Sequence, residues 1–199
     1  MENFKRSFVA TVLVIAVFAL CACGSKTQSY AYIHDPETEI LSLSDNGKAV
    51  YKGSNYKYTR DDSFITLKGT DGIEIKMRYF PDEKDESKMV LYEKTSYNYQ
   101  GEGLPESVKG VWVDDNGRSS FQFTEKGTFS EDNVFYGHYT VDENEKTIKL
   151  MYDEPLEDTI LYYTLDDGKL VIEYPWPMVI TGSDGGAVDK GSDTYKGNN

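Results

Sequence analysis

Blocks of alternating sequence recur in this 199-residue chain at an interval near 80 residues, and that recurrence limits the fold more than any other feature. "SFQFTEKGTFS" matches "LSLSDNGKA" at an offset of 80, so that Phe121, Phe123, Thr124, Glu125 and Gly127 stand where Leu41, Leu43, Ser44, Asp45 and Gly47 stood. Tyr139-Thr140 answers Tyr58-Thr59 at 81, Ile148 and Leu150 answer Ile65 and Leu67 at 83, and "KLVIEY" (Lys169–Tyr174) answers "KMVLYE" (Lys88–Glu93) at 81. Such a period is too long for a solenoid, so each copy is a supersecondary or domain-sized unit. Within each copy, apolar residues alternate with polar ones and the runs break at hairpin signals. Asn46-Gly47, Asp71-Gly72 and Asn116-Gly117 all supply the positive φ that tight hairpins need. Sixteen Tyr and nine Phe suit a pleated surface. After residue 22, no long window carries an apolar stripe of helical period free of Gly and turn clusters. The expected fold is all-β, with two tandem antiparallel β-meander repeats over 40–103 and 104–182 forming small barrels or half-barrels. Each copy makes five or six strands, or the two complete one larger barrel; the repeat favours two similar units packed together. The polar Gly/Pro segment "QGEGLPES" (Gln100–Ser107) reads as the boundary, and the Gly-rich residues 183–199 as disordered.

The first residues point to an address. Lys5 and Arg6 precede the apolar run "FVATVLVIAVFAL" (Phe8–Leu20), which as a helix would reach roughly 20 Å, short of the ~30 Å hydrocarbon core. A basic start, a short apolar core and small residues at its end describe a signal helix, not a fold element. The sequence then reads Leu20-Cys21-Ala22-Cys23. This resembles the bacterial lipoprotein lipobox, which implies cleavage after Ala22 and a lipid on the Cys23 sulfur. Cys23 is the better assignment than Cys21, because a small residue then precedes the cut. The expected organisation is a signal peptide over 1–22 and a lipidated cysteine with a polar tether over 23–39. The protein is then anchored to the cell membrane or envelope, facing outside the cytoplasm, and two or three acyl chains hold it there where one would not.

Without residues 1–22, 33 acidic and 19 basic residues remain. That balance argues against nucleic acid and anionic headgroups as partners, which would be repelled. It also serves simply to keep an exported protein soluble.

The second copy carries a further likeness. Gly110-Val111-Trp112, the strand ending Phe123–Phe129, Gly137–Asp142, Thr147–Leu150 and Asp167–Ile172 together resemble the lipocalin-like small β-domains common in bacterial lipoproteins. The resemblance covers 108–182, and 30–100 only through the repeat. It implies an up-and-down antiparallel sheet curling into a barrel, and no shared catalytic set. In lipocalins the Trp of G-x-W packs the closed end of the barrel; the rest of that signature is absent here, so no ligand follows.

A search for chemistry selects little. His34 and His138 have no nucleophile elbow or zinc-ligand spacing around them. The acidic loops 82–86, 114–117 and 142–146 lack the spaced ligands of a calcium loop and read as hairpin turns. No pair among the carboxylates stands out as an acid and a base. We therefore expect no catalytic residues, no metal, no cofactor and no enzyme activity. The aromatics are the better candidates. Tyr97, Tyr99, Phe135, Tyr136, Trp112 and "EYPWPM" (Glu173–Met178) could line a groove, with Trp112, Tyr136, Tyr139 and Trp176 as candidate binding residues for a small ligand, glycan or envelope protein. Trp176 stands between Pro175 and Pro177, so its strand should lie at an edge or be a loop already.

Overall fold

The computed structural model describes residues 25–153 and 156–183. The expected signal helix, Cys23 and almost all of the C-terminal tail lie outside them. The described residues form 14 strands: β1 (Thr27–Tyr32), β2 (Asp35–Ser44), β3 (Lys48–Tyr51), β4 (Ser54–Arg60), β5 (Phe64–Lys68), β6 (Glu74–Pro81), β7 (Lys88–Tyr99), β8 (Gly110–Asp114), β9 (Ser120–Phe123), β10 (Thr128–Glu131), β11 (Phe135–Asp142), β12 (Thr147–Tyr152), β13 (Thr159–Asp166) and β14 (Lys169–Ser183). Every pairing is antiparallel, neighbours in sequence pair in order, and β1 pairs with β14 to close the ring.

One additional pairing divides this ring. β7 and β14 lie side by side from Lys88↔Val179 to Asn98↔Lys169. The first part of β7 (Met89–Leu91) takes β6 on its other edge, and its last residues (Tyr97–Tyr99) take β8. Likewise β14 takes β13 along Lys169–Glu173 and β1 along Met178–Ser183. The pairings thus close two circuits of eight strands, β1–β7 with the end of β14, and β8–β14 with the end of β7. The expected break between 103 and 104 is a loop between β7 and β8, and the last strand of each half completes the circuit of the other.

Burial follows the period-2 alternation. Along β14, Leu170, Ile172 and Met178 are turned inward at 0–1% exposure, with Tyr174 and Trp176 on the same face between them. Two separate cores result. One gathers Leu41, Ile65, Leu67, Met77, Leu91 and Met178, the other Trp112, Phe121, Phe123, Ile148, Leu150, Leu161 and Leu170. Both interiors are filled by side chains.

The hairpins behind "SDNG" and "TEKG" are built alike. Gly47 N–H donates to Ser44 O (2.9 Å) and Gly127 N–H to Thr124 O (3.1 Å), while each glycine's carbonyl accepts from Tyr58 or Tyr139 N–H at 2.9 Å. Their φ angles, 79° and 75°, are ones that glycine adopts without strain.

One expectation is corrected here. The residues read as a tether, 23–39, include all of β1 and the start of β2, because Tyr30 and Ala31 are buried and β1 fills the place between β2 and β14. Pro36 falls in an irregular stretch of β2, where pairing jumps from Ala31↔Glu39 to Tyr32↔Asp35, so its missing N–H costs no ladder bond. Of the two alternatives for the Pro175–Pro177 segment, an edge or a loop, the structure has the edge, in the middle of the longest strand. Its prolines sit where β14 has left β13 and not yet met β1, so the chain is paired there on the β7 side only. Pro177 O, on the open side, accepts from Ile33 N–H at 3.0 Å. Neighbouring groups on that edge point the same way in an antiparallel strand, so both prolines turn their absent donors away from β7.

Candidate functional site

The middle of the β7–β14 ribbon lies where the two cores meet, with Tyr174 packed against the second and Tyr32 of β1 against the first. On its inward face stand Glu93 and Tyr174, paired across the strands, then Trp176 two residues further on. Alternation makes these inward-facing at the change from one circuit to the next. Trp176 lies against Tyr32 of β1 (ring centroids 5.2 Å apart) and against Tyr174 (5.4 Å). The Tyr174 hydroxyl is 3.3 Å from that of Tyr152 on β12. The Tyr152 ring meets Phe129 edge-on at 5.1 Å and Phe135 at 6.4 Å. An unbroken string of aromatic rings thus runs along the seam from the second circuit into the first, and it reaches solvent at Trp176 (38% exposed) and Phe135 (43%).

Two carboxylates flank the string of rings. Glu93 accepts from the Tyr32 and Tyr51 hydroxyls, both at 2.9 Å on Oε1, and from Lys52 Nζ at 2.8 Å on Oε2. Its charge is therefore matched. The buried carboxylate in turn holds the Tyr32 and Tyr51 hydroxyls far above the ordinary phenol range, together with their own desolvation, which is the larger cause. Glu131, at the end of β10, accepts from the Tyr152 hydroxyl at 2.6 Å. Burial raises its pKa, partly offset by that hydrogen bond, and the neighbouring Asp132 raises it further. No salt bridge reaches Glu131 among the described residues.

The candidate binding residues part company here. Trp112 is fully buried, its Nε1–H donating to Val108 O at 2.6 Å beneath the loop that caps the second circuit. Tyr139 is buried too, with its hydroxyl donating to Thr124 O at 2.9 Å. Both are core residues and present nothing to a partner. Tyr136 is exposed but faces outward from β11, opposite in phase to Phe135, with its hydroxyl tied to Asn133 O. Only Trp176 lies in the seam. No family model, no curated protein and no solved structure matches this chain.

Glu93, Glu131, Tyr32, Tyr51 and Tyr152 escaped the sequence reading. Glu131 had a signal: it stands two residues after Phe129, on the inward phase of its strand, where an acid is costly to bury. The other groups converge only through the β7–β14 register.

Two clefts lie elsewhere. One of about 300 Å³ at the far end of the second circuit is lined by Val108, Glu143, Lys146 and Tyr163. Glu143 is occupied there by the Tyr163 hydroxyl and Lys146. The other, about 370 Å³, lies on the outer face of the ribbon among Ile33, Phe80, Val90 and Pro177. The loop carboxylate at its edge, Asp82, caps its own turn through Lys84 and Asp85 N–H groups. His34 and His138 are exposed on opposite halves. Among the described residues, no group of three or more His, Cys, Asp or Glu is placed to hold a metal ion.

Proposed function

We propose that this chain is a lipid-anchored envelope lipoprotein that binds a small molecule, glycan or envelope component without chemical turnover, and that the seam between its circuits is the binding surface. The anchor rests on the Leu20–Cys23 pattern, with Cys23 as the lipidated residue and the outer face of a membrane as the location. The arrangement of strands fits a tandem duplication in which β1–β7 and β8–β14 are the copies, each making a small lipocalin-like barrel completed by the other's last strand.

The observation that carries the binding reading is where the rings come to the surface. A cluster of buried side chains occupies each circuit, whereas the seam offers solvent a line of aromatic rings flanked by hydroxyl groups. Rings of this kind contribute stacking area at little conformational cost. A second reading, an accessory or inhibitor-like protein acting by protein contact, draws on the exposed Ile33 and Phe80 beside Pro177 on the outer face of the ribbon.

Trp176 supplies the test, because the other tryptophan, Trp112, is shielded. Envelope glycans and small envelope metabolites titrated into the full chain should shift or quench Trp176 emission, and Trp176→Ala should abolish both signal and binding. A ligand bound equally well by Trp176→Ala would move the site off the seam. The anchor is tested separately: Cys23→Ala should release the protein from membranes, and retention of that variant would overturn it.

A further inference from the structure

We infer that the seam takes a small organic ammonium ion, seated against the Glu131 carboxylate and the rings of Phe135, Tyr152 and Tyr174. This rests on the seam being the binding surface and goes on to name the chemistry of the ligand.

The two seam carboxylates are not equivalent. Glu93 has a cation of its own in Lys52 and two hydroxyl donors, so its lone pairs and charge are taken. Glu131 is partly buried and receives only the Tyr152 hydroxyl, and its neighbour in the chain, Asp132, is another acid. A desolvated carboxylate with no cation is costly to maintain. A ligand that brings the positive charge removes that cost. The rings around it select the kind of cation. Phe135 is the cross-strand partner of Glu131, the Tyr152 hydroxyl reaches the carboxylate, and the Tyr152 ring is bordered by Phe129 and Phe135, so a cation at Glu131 has aromatic rings as its neighbours, whose faces attract a cation presented to them. A metal ion would lose its water and gain a single carboxylate, whereas an organic ammonium also carries apolar groups that gain from the rings, most of all a quaternary ammonium, which is weakly hydrated.

The field over the molecule acts the same way. Residues 26–81 carry eight acidic and eight basic residues, while residues 100–183 carry 17 acidic and six basic. The excess negative charge sits in the half that holds Glu131, and it raises the local concentration of any cation approaching the seam.

The experiment is calorimetric titration of the full chain, in non-ionic detergent, with choline, with n-butylamine, and with 3,3-dimethylbutan-1-ol, the uncharged shape-mimic of choline. Choline or butylamine should bind and the alcohol should not; comparing the two cations separates a quaternary from a primary ammonium ligand. Glu131→Gln, which keeps the shape and loses the charge, should weaken binding by roughly tenfold or more. Phe135→Leu should weaken it several-fold while leaving Glu131 in place. Equal binding of cation and alcohol, undiminished binding in Glu131→Gln, or competition by calcium chloride stronger than by choline would each overturn the inference. If a neutral glycan perturbs Trp176 while neither ammonium ion binds, the ammonium inference fails and the seam stands. If no ligand perturbs Trp176, the seam reading fails with it.

Discussion

Gly137 shows how a single hydrogen atom can be required in a strand. A Cβ there would meet the Met151 carbonyl oxygen and carbon and, at 2.9 Å, Tyr152 Cα, all backbone atoms of the adjoining β12. Backbone held in its ladder with β11 cannot retreat as a flexible side chain would, so Gly137→Ala should cost roughly 1–3 kcal/mol in urea denaturation, a large effect for one methyl. At Glu131 the consequence is a pH dependence. Its pKa in the folded protein is raised above the ordinary 4.5, chiefly by burial, so the folded state favours the protonated form. Its contribution is fully present below pH 4.5 and is lost as pH rises through the folded-state value. Relative to Glu131→Gln, the wild type should therefore lose stability between pH 4.5 and neutrality, as read from urea midpoints across that range. Asp85 titrates in the opposite sense. The Ser87 hydroxyl, Lys88 and the Ser87 N–H hold it down to about 2, so its small contribution is lost on strong acidification.

Strands and hairpins were the legible part of this chain. Asp45-Asn46-Gly47 and Thr124–Gly127 could be placed as turns because their backbone conformations are ones that few other residues accept, and the alternation around them fixed which side chains face inward. β1 was hidden because its six residues follow a stretch that resembles a lipobox and so read as spacer, although Tyr30 and Ala31 already marked an inward face. β14 was obscured for a different reason. Local rules exclude proline from a paired strand, and nothing local says that a strand passes from one neighbour to another at that very point. The same step explains why the seam could not be read: Trp176 meets Tyr32 on one side and Tyr174, which reaches Tyr152, on the other only because β14 leaves β13 and joins β1. Proline placement supplies a paired prediction. Pro177→Ala adds a donor on an open edge and should change stability by well under about 1 kcal/mol. Val171→Pro, where β14 lies between Thr164 on β13 and Ser96 on β7, should cost about 3 kcal/mol or more and lower the thermal midpoint sharply.

The two halves share one ribbon, and its register is symmetric. Glu93 pairs with Tyr174, the residue that lies 81 positions further on and occupies the same place in the matching block. A two-fold relation between the halves therefore passes through that pair, and the seam lies on it. Either half alone would lack its eighth strand and expose a long unpaired edge, the condition under which strands join other chains. Residues 25–103 and 104–183, expressed separately, should each fail to give a sharp thermal transition, and mixing should restore one at equal stoichiometry by circular dichroism and sedimentation. Independent sharp melting of either half would show that the shared ribbon is dispensable. The geometry is that of a homodimer exchanging its terminal strands, with the two subunits joined end to end. Such a dimer would come apart on dilution. In the single chain each strand meets its acceptor at an effective concentration set by the connecting loop, in the millimolar range for short connections, so the assembly holds at any abundance of the protein in the cell. A single chain, unlike such a dimer, is also free to place different residues at the two facing positions on the axis, and here one is a glutamate and the other a tyrosine.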